Sequence, residues 1–171
     1  MADPRMALVV AARSQLGVAE TSRNRGPGIA KFWTATSYPK GMENREPWCA
    51  AFVAWVVRQA MCEEPRLHLE ESTRPKGAAV SAWAPAARRL GWLVFEPGNL
   101  APAPGDIVVF RFSHIAIVEA FNGSCLTIEG NTDDAGAREG REVAARLRSL
   151  AACRYFLRIP LRDSRRLSNV H

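Results

Sequence analysis

The hydrophobic period of this chain changes at Gly91, and that change restricts the folds open to it more than any other feature. Before it, apolar residues recur at helical spacing. Asp3 and Pro4 read as an N-cap and first helical residue. Ala7, Leu8, Ala11, Ala12 and Leu16 then repeat on one face until Gly17 offers a stop. The polar stretch TSRNRGPG at 21–28 reads as turns, and 29–33 as a short helix broken by Tyr38-Pro39-Lys40-Gly41. From Pro47, PWCAAFVAWVVRQA sets Ala51, Phe52, Trp55, Val56 and Gln59 on helical spacing. Glu46 lies near the cap, and Pro47 sits where its missing N–H costs nothing. A further helix over 81–90 tolerates Pro85 near its first turns.

After Gly91 the runs shorten and become β-rich, at 92–95, 107–112, 115–119, 126–129, 143–147 and 155–159, separated by Pro, Gly, Asn and Asp. Helices first and strands later predict an α+β fold, with N-terminal helices packed on a C-terminal antiparallel sheet of five to six strands. At 171 residues and 47% hydrophobic, the expectation is a single domain over 1–171 with a core about 4–160 and a basic tail over 161–171.

The formal charge is +6, and nine arginines fall between Arg138 and Arg166. Such a surface suits an anionic envelope polymer, nucleic acid or plain solvation. No basic motif interleaved with aromatics appears, so nucleic acid is not expected as a partner. No apolar run approaches a membrane span, and Met1-Ala2-Asp3-Pro4-Arg5 lacks the layout of a secretory signal, so synthesis as a soluble cytoplasmic chain is expected.

The four cysteines, Cys49, Cys62, Cys125 and Cys153, form no C-x-x-C pair, and only His68, His114 and His171 could join them. That disfavours structural zinc, and the size of the chain removes the need for a disulfide framework. Asp133-Asp134 lacks the spacing of a calcium loop, so no metal and no cofactor are expected. What remains is whether one thiol is reactive. Cys49 falls in the first turn of its helix, where free N–H groups and the dipole favour the thiolate; the alternative is a small buried hydrophobe. Cys62, at the far end beside Glu63 and Glu64, reads as structural. Cys125 and Cys153 read as core or sheet-face residues.

One hairpin can be derived explicitly. Asn122-Gly123 between strand-like runs signals a two-residue turn, with Phe121 facing Ser124. His114 then faces Asn131, and Ala116 faces Glu129, which puts His114, Asn131 and Glu129 on one face. The alternatives are a satisfied strand histidine and ordinary strand-end polar residues. His68 and His171 have no comparable partners. A Cys–His–Glu/Asn set would let a thiolate attack a carbonyl while the imidazole shuttles the proton and a third group holds its ring.

NREPWCAAFVAWVVRQA, PAPGDIVVF, SHIAIVEAF and TIEGNT together resemble the Cys, strand lead-in, His and Glu/Asn boxes of the CHAP family, papain-like amidases and endopeptidases related to NlpC/P60. The opening VAARSQLGVAETSRNRGPGIAKFW is similar to the segment that precedes the Cys box in peptidoglycan-cleaving members. The resemblance implies a papain-like fold, with Cys49 as nucleophile, His114 as general base then acid, Glu129 as ring orienter and Asn131 as polar support. Ala116 stands where the family often has Gly. Trp48 and Trp33 are expected either to line the substrate groove or to pack in the core or rim.

The function expected is cleavage of an amide in peptidoglycan, in the stem peptide or at the muramoyl–alanine link, by a phage lysin or an interbacterial effector. Such a protein acts in the periplasm or cell wall after export, injection or lysis. Its partners would be peptidoglycan, with an immunity protein or secretion or holin machinery. The alternatives are a cytoplasmic amidase or acyltransferase on a small substrate, and a non-catalytic module binding an anionic polymer or nucleic acid.

Overall fold

The computed structural model describes residues 2–132 and 140–162. Four helices, α1 (Met6–Arg13), α2 (Pro27–Trp33), α3 (Cys49–Glu63) and α4 (Trp83–Arg89), precede or flank six strands. These are β1 (Leu93–Phe95), β2 (Ile107–Phe110), β3 (Ile115–Phe121), β4 (Ser124–Thr132), β5 (Glu142–Ser149) and β6 (Cys153–Arg158). They form one sheet in the order β1-β6-β2-β3-β4-β5, with every pairing antiparallel. This is the α+β arrangement that the change of period requires. Residues 163–171 of the expected tail lie outside the described residues, as do Asp133 and Asp134.

Alternation along the strands divides the apolar residues between two faces. Ile107, Ile115, Ile117, Ile128 and Leu157 join the helices in the larger core. Val108, Phe110, Ala116, Val118, Cys125, Cys153 and Phe156 form a second cluster on the other face. Cys125 and Cys153 are therefore buried sheet-face residues, whereas Cys62 is exposed at the end of α3.

Local chemistry moves several boundaries. Asp3 starts a turn before α1, accepting the Arg5 N–H at 2.9 Å, so the helix itself begins at Met6 and not at Pro4. Trp48 is the N-cap of α3 and Cys49 its first residue, two steps nearer the helix end than the placement of Pro47 suggested. In the PAPGD segment, Asp106 is fully buried between the Ala103 N–H and both arms of the Arg158 guanidinium, each contact at 2.8 Å. That segment locks the entry to β2 onto β6.

The β3–β4 hairpin departs from the derived turn and then returns to it. Phe121 pairs with Cys125, leaving Asn122, Gly123 and Ser124 between them, with Gly123 in the left-handed region at φ 93°. A three-residue loop with such a glycine is the next most common hairpin solution. The register then shifts between Val118 and Ala120, where the extra residue, Glu119, forms an ion pair with Arg13 of α1. Beyond this bulge Val118 faces Thr127 and Ile117 faces Ile128, the register a two-residue turn would have given. Two one-residue displacements cancel before the strand reaches its polar end.

Past that point β4 runs under the start of α3. A β-carbon on Gly130 would lie 2.6 Å from Phe52 Cβ and 2.9 Å from the Trp48 ring. Both neighbours are fully buried, so neither has room to yield. Gly130→Ala is expected to destabilise the protein by about 1–3 kcal/mol, as overpacking does, read as a lower urea midpoint at unchanged slope. A midpoint equal to the parent's would mean that strand and helix are not in contact here.

Candidate active site

The helix and the hairpin bring three polar side chains of the sequence motifs together. Cys49, 4% exposed, opens α3, and the N-cap residue places no side chain over the first-turn N–H groups. Those groups have no intrahelical acceptor, so they stand beside the sulfur as donors for negative charge. His114 precedes β3, after Ser113 in a left-handed turn at φ 59°. Its Nε2 lies 3.0 Å from Glu129 Oε2, and both residues are completely buried. Nδ1 closes no hydrogen bond of good geometry; the other side chain acting on the ring is the Cys49 thiol, which outweighs Glu129. Phe110 and Phe112 stack with the imidazole, at centroid distances of 5.9 and 5.8 Å.

Glu129 is held by more than the histidine. Thr127 Oγ1 donates to Oε1 at 2.7 Å, while Arg148 on β5 donates from Nε to Oε1 at 2.7 Å and from Nη2 to Oε2 at 2.5 Å. The guanidinium also covers Phe110 and Phe112, 5.5 and 5.3 Å from their centroids. Arg148 pairs in the sheet with Cys125, so its side chain runs back along the strand to reach the carboxylate. Nothing in the sequence reading singled it out.

The charges follow from these contacts. Burial pulls the His114 pKa down, but Cys49 and then Glu129 favour the imidazolium, and the result is raised from 6.5 to about 9. Burial pushes Glu129 up, yet hydrogen bonds from Arg148 and His114 overcome it and hold the carboxyl at about 2. A buried row of Arg148, Glu129 and His114 thus favours alternating charge, with Cys49 at its end.

The remaining expected residues make no hydrogen bond to the imidazole. Asn131 is fully buried, with its backbone left-handed at φ 58°, and the β4–β5 register shifts between Glu129 and Thr132. The alternation that should have aimed it at the imidazole is broken there, and its amide makes no hydrogen bond to His114 or any other described residue. Trp48 and Trp33 are 0% and 2% exposed and belong to the core, not to a groove. Trp48 stacks on Phe32 and donates its indole N–H to Glu20 at 3.0 Å; a fixed acceptor lets that ring be buried. Glu20 is brought there because the segment after α1 runs along β5, with the Glu20 N–H bonded to Arg141 O.

Cys49 instead reaches a cleft of about 400 Å³. Tyr38, Glu46, Pro47, Ser113 and residues 78–81 line it. Among the described residues, no cluster of three or more His, Cys, Asp or Glu is placed to hold a metal ion, and no helix is long and apolar enough to cross a membrane.

The helix that Cys49 opens and the hairpin that carries His114 and Glu129 are the segments of the Cys, His and Glu/Asn boxes. The CHAP domain family model matches residues 38–131, more than half of the chain, and the protein belongs to the CHAP family. CHAP domains are typically peptidoglycan amidase or endopeptidase domains. No curated protein and no solved structure matches the chain. The match contains Cys49, His114 and Glu129 but stops before Arg148.

Proposed function

We propose that this protein is a cysteine-dependent hydrolase that cuts an amide bond in bacterial peptidoglycan, in the stem peptide or at the muramoyl–alanine link. The observation that carries the reading is the Cys49 thiol at an uncapped helix start beside a buried imidazole already bonded to Glu129. The Cys49 thiolate attacks the carbonyl carbon, and the oxygen takes up negative charge against the first-turn N–H groups of α3. His114 gives its proton to the nitrogen as the C–N bond breaks; the amine leaves and a thioester remains. Neutral His114 then takes a proton from water, the hydroxide adds to the thioester carbon, and the C–S bond breaks to return thiolate and imidazolium. Glu129 stays ionised throughout and stabilises the imidazolium.

The proton inventory makes the rate depend on pH. Protonation of the leaving amine needs imidazolium, so turnover is expected to fall as pH rises through about 9, the level to which Cys49 and Glu129 lift His114. The two ionisations belong to the thiol–imidazole pair jointly. Mass spectrometry of muropeptides released from purified sacculi, repeated across pH and with EDTA, tests both points. New peptide termini at a single bond type are expected, with an alkaline decline and no loss on chelation. Unchanged muropeptides would remove the hydrolase reading, and abolition by EDTA restored by added metal would remove its mechanism. Such an enzyme meets its substrate in the periplasm or cell wall, in the manner of a lysin released at lysis or an effector delivered into a competitor.

A further inference from the structure

Among the described residues, the charge that lines the cleft is opposite to that of the chain. The protein carries +6, yet of the described residues no Lys or Arg lines the cleft that Cys49 opens into, and the carboxylate among them is Glu46. That carboxylate is exposed and makes no ion pair or hydrogen bond with any described residue. Its backbone is fixed: the Glu46 N–H donates to Gly41 O at 2.9 Å, and Asn24 Nδ2 donates to Arg45 O at 2.9 Å. Pro47 then leads directly to the helix cap, so Glu46 stands three residues before the nucleophile on a tied loop. Residues 78–81, which also line the cleft, supply two alanines, a valine and the Ser81 hydroxyl, none of which repels a cation. Facing outward without a partner, an acid on such a loop costs no desolvation until a ligand arrives and discriminates by sign.

We infer that Glu46 is a specificity-determining residue which selects a substrate arm bearing a protonated primary amine close to the scissile amide. The inference rests on the hydrolase reading and narrows it: among peptide arms of the cell wall, those with a free amine on a diamino acid side chain are favoured over arms where that amine is acylated or replaced by a carboxylate. The amine keeps its proton and undergoes no reaction; it pairs with Glu46 while Cys49 attacks the neighbouring carbonyl.

The test uses the full chain and two synthetic stem peptides that differ only in a free or an acetylated side-chain amine. Acetylation is expected to lower kcat/KM about three- to tenfold for the parent, through KM, because an exposed ion pair reinforced by a hydrogen bond is of that order. Glu46→Gln should lose the preference, treating both peptides as the parent treats the acetylated one, with kcat retained. Titrating the same peptides into the Cys49→Ala variant reads the preference as Kd without turnover. Equal constants for the two peptides, or a preference that survives Glu46→Gln, overturns the amine inference alone. If neither peptide nor intact sacculi are cut, the hydrolase reading falls and takes this inference with it, whereas cleavage of both peptides at equal rates leaves that reading standing.

Discussion

Cys49→Ala is expected to abolish hydrolysis of purified peptidoglycan, lowering kcat by about 10⁴-fold or more, while the protein stays folded. The size of the loss follows from chemistry: without the sulfur there is no thioester, and His114 and Glu129 have no nucleophile to serve. The fold survives because the change removes one atom from the wall of an open cleft, and shortening a side chain there costs far less than hollowing the core. The other thiols give the control. Cys62 is exposed, and Cys125 and Cys153, packed in the second cluster, neither line the cleft nor make a hydrogen bond to His114 or Glu129, so their alanine variants should retain turnover, with any loss following stability. A second readout is independent of substrate. Cys49 is the larger of the two partners that raise His114, so its removal should bring the imidazole pKa down from about 9, followed by NMR of the ring protons. Hydrolysis near the parent rate, or a His114 titration that does not move, would sink the assignment of the nucleophile.

The parts of this site that could be read in the sequence are those fixed by local rules. Pro47 and the apolar spacing after it put Cys49 at a helix start, and Asn122-Gly123 placed a hairpin that sets His114 and Glu129 on one face. The bulge at Glu119 had no signal, since the residue that closes it, Arg13, lies on a helix 106 residues away. It did no harm only because the longer loop displaced the register by one in the other direction. Asn131 makes no hydrogen bond to the imidazole, and the strict strand alternation expected for it does not pass through its left-handed backbone. Tryptophans beside a nucleophile suggest a groove, but Glu20, an acceptor far along the chain, satisfies the Trp48 indole and lets it sink into the core. Arg148 was hidden in a different way. It is one of nine arginines between 138 and 166, and only the β4–β5 register distinguishes it from Arg146 or Arg154. A usable signal did exist: a carboxylate assigned to the interior of a sheet needs a cation on the adjacent strand, because buried charge without a partner is not tolerated.

That requirement makes Arg148→Met the change expected to cost most in stability. Glu129 is fully buried and takes two of its hydrogen bonds from this guanidinium, leaving Thr127 and His114 as the others. Removing one partner of such a pair costs about 3–5 kcal/mol, and the 13% exposure of Arg148 places the loss near the lower end, roughly 3 kcal/mol. The pH dependence identifies the cause. In the parent, Glu129 contributes stability that is present above 4.5 and lost as pH falls toward about 2. The His114 contribution is present below 6.5 and lost as pH rises toward about 9. Without Arg148, burial dominates Glu129 and its pKa rises, so acid sensitivity should begin at a higher pH; with its anion weakened, His114 should titrate lower, shifting the alkaline decline of turnover the same way. A packing role alone would move neither. Arg148→Lys restores charge without the fork and should recover only part of both effects. In a double-mutant cycle with Glu129→Gln, the second substitution should cost much less once the first is present, giving a coupling of about 2 kcal/mol or more. Urea denaturation across pH measures all of these, and additive losses with an unshifted pH profile would show that Arg148 merely covers Phe110 and Phe112 and does not hold the charge on Glu129.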